Sequence, residues 1–227
     1  MKRLLFSFLL AMLLLPAAAE NRDRAIIVAS SDDKVQLETL SRIGYGFHFV
    51  KSPAFKPGAA GEFFFNFAQL DIFPTEFLEI QLGLDAEFNH FSSRSASFFL
   101  DDGRCVQVMD LPSYSKTGSK YRSGFRYFNI NAPLMVKGII QYLQVGVGVE
   151  ASLNLAGKTF SDYREDNIRT NTTESGAKLN RFSFGLVAGL TYSDFGFFVK
   201  YYPKPSKVLA PGSVELSYWT LGITYGL

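Results

Sequence analysis

Apolar and polar residues exchange places at every second position through most of the chain beyond residue 41. That period of two is the mark of a β-strand with unlike faces. The clearest example is residues 128–154. Phe128, Ile130, Ala132, Leu134 and Val136 alternate with polar or small neighbours, and after a break at residues 139–142 the pattern resumes as Leu143, Val145, Val147, Val149, Ala151 and Leu153. Six further stretches read the same way. The first carries Ile43, Tyr45, Phe47 and Phe49, and the second runs over residues 62–73. In the second the phase moves from Phe63, Phe65 and Phe67 to Leu70 and Ile72, a shift that predicts a bulge. The third sets Leu78, Ile80, Leu82, Leu84, Ala86 and Phe88 on one face. The last three cover Phe182 to Tyr192, Phe195 to Tyr202, and Trp219 to Leu227.

Eight strands result, joined by short turns near residues 75, 141 and 194 and by long connections near 56, 108, 168 and 208. This predicts an all-β fold, an eight-stranded antiparallel up-and-down transmembrane β-barrel with short periplasmic turns and long extracellular loops. Residues 158–177, rich in Thr, Asn, Asp and Arg, read as a polar loop. Within the longest connection, SASFFL and CVQVMD flank Asp102-Gly103, a hairpin signal.

The N-terminus changes the picture. Lys2 and Arg3 precede the apolar run Leu4 to Leu15, then Pro16 and three alanines, so residues 1–19 are expected to be a signal peptide. Residues 20–40 form a periplasmic leader in which 32–40 fits a strand or a helical turn equally well, and 41–227 make the barrel domain. Removing Lys2 and Arg3 from 23 basic residues leaves 21, equal to the 21 acidic ones. That balance speaks against a nucleic-acid partner. The single cysteine, Cys105, excludes an internal disulfide framework. Aromatic content is 15%, mostly Phe and Tyr, which suits a β fold with much apolar surface to place.

A soluble periplasmic ligand-binding barrel would also alternate, with its apolar face inward. The polar faces of the fourth to sixth strands decide between the two, since only Lys137 and Glu150 are charged among Gly, Ser, Thr and Asn. Such small residues fill a narrow lumen, and the apolar phase then faces lipid. The lumen is expected to hold Arg42, His48, Glu79, Asp85, Glu87, Lys137, Glu150 and Lys200, as a plug of ion pairs or, alternatively, as a proton or ion path. Phe73, Phe77, Tyr142, Tyr192, Phe195, Trp219 and Tyr225 are the expected membrane-interface aromatics. In the outer arm, Phe98, Phe99, Val106 and Met109 either pack within their hairpin or offer an edge to a protein partner.

Three stretches resemble the PorT-like outer-membrane β-barrel domain, a relative of small OmpA- and OmpX-type barrels: NINAPLMVKGIIQYLQVGVGVEASLNLAGK, FGLVAGLTYSDFGFFVKYY and the terminal YWTLGITYGL. The resemblance spans roughly residues 41–227. It implies location in the outer membrane of a Gram-negative cell envelope and insertion by the barrel-assembly machinery, with Leu227 in place of the usual terminal Phe. Some relatives take part in secretion.

Chemistry is sparse. His90 and Ser92 share a face near the outer rim and look like the His-x-Ser pair of outer-membrane lipid A deacylases, though Ser93 stands where Asn is expected. His48 has no Cys/His companions, so no metal is expected. No phosphate-binding glycine loop and no cofactor motif occur. The expectation is a monomeric, non-enzymatic envelope protein in contact with outer-membrane lipid, structural or presenting its loops to a partner. The alternatives are a lipid A acyl hydrolase and the soluble barrel.

Overall fold

The computed structural model describes residues 27–28, 35–39, 41–51, 60–94, 96–108, 121–165, 168–203, 208–213 and 216–226. The expected signal peptide, Met109 and Leu227 lie outside the described residues. Thirteen strands are present in these parts: β1 (Ile27–Val28), β2 (Val35–Glu38), β3 (Arg42–Val50), β4 (Ala60–Thr75), β5 (Leu78–Ser93), β6 (Ser97–Asp101), β7 (Arg104–Val108), β8 (Arg122–Ile140), β9 (Leu143–Glu165), β10 (Ile168–Ser175), β11 (Phe182–Tyr192), β12 (Phe195–Tyr202) and β13 (Tyr218–Gly226).

Eight of them close a ring in the order β3-β4-β5-β8-β9-β11-β12-β13, with β13 returning to β3 and every pair antiparallel. These are the eight strands read from the alternation. Closure pairs every ring strand on both sides and leaves the ring itself without an edge. Three tight connections at one end join β4 to β5, β8 to β9 and β11 to β12, and there Arg42 at the start of β3 lies opposite Gly226 at the end of β13.

The bulge foreseen in the second strand sits at Phe67. The register with β5 slips between Asn66 and Ala68, so inward positions change from Glu62, Phe64 and Asn66 to Gln69 and Asp71. A second slip, between Phe128 and Asn129, leaves Leu155 of β9 as the extra residue.

One sequence expectation is corrected and one open alternative is resolved. Residues 158–177 are largely not a loop: β9 runs 23 residues to Glu165 and pairs with β10, from Ile168↔Glu165 to Ser175↔Lys158. Threonine suits a pleated half-exposed ribbon, and pairing satisfies backbone groups that a loop would leave to water. In the leader, β2 settles the ambiguity as a strand, added to β4 beyond the ring with Val35 opposite Ile72.

The arm does not protrude. β6 and β7 form the expected hairpin, turning through Asp102 and Gly103 at φ 46° and 74°, the left-handed pair that glycine tolerates at little cost. The hairpin folds back over the ring, where Phe98 meets Phe125 and its amide donates to Ser123 Oγ at 2.9 Å. Burying Phe98 in an apolar cluster outweighs leaving it in water. The Cys105 amide donates to Ser213 Oγ, and Lys178 donates to Gly103 O at 2.6 Å, so the segments around 178 and 209 join the same cap. Cys105 is fully buried and burial pushes its thiol up to about 12, which makes it a packing residue.

Close strand approach depends on Gly148. A Cβ there would stand 2.1 Å from Leu134 O and 2.8 Å from Met135 Cα, both backbone atoms of the neighbouring strand. Gly148→Ala is therefore expected to cost roughly 1–3 kcal/mol. Gly138→Ala, with nothing nearer than Val145 O at 3.9 Å, should stay within about 0.5 kcal/mol. Urea midpoints of the folded barrel in detergent check the difference.

Candidate functional site

The ring's interior is built in three tiers. At the tight-turn end lies a polar cavity of 210 Å³, lined among others by Glu38, Arg42, Asp71, Gln81, Lys137 and Thr224. Glu79 and Lys137 face each other across β5 and β8 and form an ion pair at 2.6 Å. Asp85 accepts from Asn66 Nδ2 at 2.6 Å and stands 3.9 Å from Arg42.

The middle tier centres on Lys200 of β12. Its ammonium contacts Glu87, stands 3.0 Å from Glu62 Oε1 and 3.2 Å from Glu150 Oε2, and lies over the ring of Phe64 at 5.0 Å. All four ionisable side chains are buried. Three carboxylates thus converge on one ammonium, and burial makes every unmatched charge costly. Neutral donors spread the load. Glu87 accepts from Asn89 and Asn131 at 2.7 Å each, and Tyr202 donates to Glu150 at 2.6 Å. Glu62 Oε1, although near the ammonium, is out of line for a hydrogen bond.

His48 bridges this tier to the one above. With Asn89 Oδ1 accepting from Nε2 at 3.0 Å, Nδ1 is left to accept from the Thr220 hydroxyl at 2.8 Å. Its ring stacks on Phe91 at 4.7 Å. Above it Phe91, Phe125, Tyr127, Tyr202 and Tyr218 fill the lumen with stacked rings, and Phe98 and Leu209 from the cap cover them. Tyr127 and Tyr218 satisfy their hydroxyls against each other at 2.6 Å. A space of 30 Å³ adjoins Lys200 in the lumen, enough for about two waters.

Of the expected lumen residues, all eight point inward, but they form three separate groups. Glu62, Asp71 and Phe64 belong there too and were missed, because the bulge hid the phase of their strand. Their signal was available: if Phe63 and Phe65 face outward, Glu62 and Phe64 face inward.

The outer wall is apolar. Leu82, Leu134, Val145, Val147, Val149, Phe184, Leu186, Phe197, Leu221 and Ile223 are all exposed. Phe77, Tyr142, Tyr192 and Phe195 are strongly exposed at the tight-turn end, with Tyr225 half-buried beside them; Phe73, expected there, is instead in phase with the inward Gln69 and Asp71 beyond the bulge and lines the polar cavity. Trp219 stands at the other end of the wall, stacked on Phe49 at 4.5 Å. Phe99 is exposed on the cap and Val106 half-buried.

His90 and Ser92 do share the outward face, with Ser92 buried. The imidazole is not set up as a base. Arg122 Nη2 lies 2.8 Å from its Nε2 and Arg126 donates to Nδ1 at 2.9 Å, so both nitrogens face guanidinium groups, and among the described residues no carboxylate orients the ring. Among the described residues no group of three or more His, Cys, Asp or Glu is arranged to hold a metal ion.

No protein-family model matches the chain, and no curated protein matches it in sequence. The PorT-like resemblance therefore rests on its motifs alone. Among solved structures, the chain is similar to Neisserial surface protein A (NspA), at 12% identity over 85% of this chain and 97% of that one, with a TM-score of 0.36.

Proposed function

We propose that this chain is a non-enzymatic outer-membrane β-barrel, with its tight turns in the periplasm and its cap outside, acting in the envelope as a closed wall element that presents its outer surface to lipid and to partners. One observation carries the reading: the barrel is inside out for a soluble protein, apolar where it is exposed and charged where it is buried. The dimensions support it. On β9 the outward apolar residues run from Val145 to Leu155, about 33 Å along the strand, or about 25 Å along the barrel axis at a tilt near 40°. That is the height of the lipid-facing band in outer-membrane barrels. Aromatic rings at both ends of the wall suit the headgroup zones.

A soluble ligand-binding barrel would carry a polar, solvated wall, whereas the described outer wall of this ring is apolar. A deacylase would need His90 to accept a proton from Ser92, and the two arginines oppose that. The cap consumes Phe98, which leaves Phe99 and the β9–β10 ribbon as the surfaces a protein partner would meet. Signal-peptide cleavage and assembly by the barrel-insertion machinery follow from the same reading.

Fractionation of cells expressing the full chain tests it. The protein should sediment with the outer membrane, resist extraction without detergent, and migrate faster on gels before boiling than after. Recovery in the soluble periplasm would overturn the proposal. Because aromatic rings and the cap fill the upper lumen, planar-bilayer conductance should not exceed that of protein-free bilayers.

A further inference from the structure

Across the outward faces of β5, β8 and β9, one row of residues lies directly opposite one another in register: His90, Arg126 and Lys158. The outward row immediately below it is Phe88, Phe128 and Ala156. Two residues along a strand are about 6.6 Å, so a set of cations stands one step above the edge of the apolar band. Arg122 on β8 and the exposed Arg94 just beyond β5 add to it. Asp162, opposite Arg122, is already held in a two-pronged pair by Arg169 at 2.9 and 2.6 Å, which keeps its carboxyl below the usual range. Among the described residues no carboxylate lies within ion-pair distance of Arg94, Arg122, Arg126 or Lys158.

The geometry is short of acceptors. Arg122 and Arg126 both direct N–H groups at the ring of His90, and a neutral imidazole has one lone pair to offer, with a hydrogen on its other nitrogen. One guanidinium therefore faces a donor. Arg126 is nevertheless held in place, its guanidinium over Phe160 at 4.4 Å while His90 stacks on the same ring at 5.2 Å. Fixed, convergent, underemployed donors of this kind match the several oxygens of a phosphate, which a guanidinium can bind through two parallel bonds.

We propose that His90, Arg122, Arg126 and Lys158 bind the phosphate headgroup of an outer-leaflet lipid, whose acyl chains lie down the wall along Phe88, Phe128 and Leu155. This rests on the outer-membrane reading above. The commitment to a lipid, and not to a free anion or an acidic peptide, comes from the continuity of the cationic row with the exposed apolar band beneath it: Phe88 and Leu155 are each half exposed.

The test uses the full chain folded in neutral detergent. Native mass spectrometry would titrate it with dioctanoyl phosphatidic acid, a lipid phosphomonoester, against dioctanoylglycerol and inorganic phosphate. Phosphatidic acid should bind one to one and more tightly than either control. The pair Arg122→Gln and Arg126→Gln should weaken it roughly tenfold or more. Lys158→Gln, on an exposed side chain that folding does not need, should weaken it by a smaller factor. Equal binding of dioctanoylglycerol would reduce the site to a chain groove, and equal binding of inorganic phosphate would make it a free-anion site. Unchanged affinity in both variants would likewise overturn the proposal. Unboiled gel mobility reports whether each variant is folded; should the double variant fail to fold, Lys158→Gln alone decides. Loss of lipid binding in a chain that still fractionates with the outer membrane sinks this inference only. Recovery in the periplasm sinks the reading beneath it.

Discussion

Replacing Lys200 by methionine is expected to destabilise the barrel by about 3–5 kcal/mol, the largest effect of any single substitution considered. Methionine keeps an unbranched stem only one atom shorter and gives up the ammonium that lies over Phe64 and Phe198, so volume is not chiefly what changes. Charge is. Glu62, Glu87 and Glu150 would face one another in the middle of the lumen without the ammonium that all three share. Lys137 is committed to Glu79 at the tight-turn end, and the space of 30 Å³ beside the cluster admits only about two waters in place of the ammonium. Glu62→Gln is the informative contrast. It retains the side chain's shape and relieves crowding among three carboxylates. Since Glu62 Oε1 makes no aligned hydrogen bond, the change should cost less than about 1 kcal/mol. Urea midpoints followed by unboiled gel mobility measure both. A Lys200→Met barrel as stable as the parent would mean that the central cluster is not held by charge.

Arginine placed at Val149 is expected to cost about 2–4 kcal/mol when the barrel is folded into lipid vesicles, whereas arginine at Val145 should cost about 0–1 kcal/mol. The two valines are alike in every other respect. Both lie on the outward face of β9, both are about half exposed, and both pair with β8 and β11. They differ in depth: Val145 is in the third pair from the turn, and Val149 is near the middle of the outward run that ends at Leu155. Lipid charges for burying a guanidinium in proportion to depth, and water does not. A steep difference between the two positions supports the membrane reading. Two equal values within about 0.5 kcal/mol would mean that solvent, not hydrocarbon, surrounds the wall.

Much of the architecture was legible because a strand's side-chain period is fixed at two and a single substitution of face cannot go unnoticed over six or seven residues. The run from Val145 to Leu153 declared its outward face in this way, and Asp102-Gly103 declared its turn. Residues 158–175 were not legible as a hairpin, because β10, rich in Thr and exposed along nearly its whole length, has no apolar phase to read. The lumen was half legible. Inward phase placed Lys200, Glu87 and Glu150 in the interior, but their meeting at one point depends on the stagger between strands that are far apart in sequence. His90 shows the same limit from the chemical side. Beside Ser92 in sequence it resembles half of a catalytic pair, and beside Arg122 and Arg126 in space it is a scaffold for cations.

The sequence by itself determined the eight strands of the ring, their three tight turns and, outside β4, which residues of each ring strand share a face, since these follow from local sterics and the two-residue repeat. Only the tertiary structure decided the partners: that three carboxylates share Lys200, that the β6–β7 hairpin caps the ring, and that five cationic or imidazole side chains gather above the apolar band. The physical reason is that register between distant strands is set by closing the whole ring at once. A bulge at Phe67 and another at Leu155 shift which residues face each other, and no local pattern carries that information.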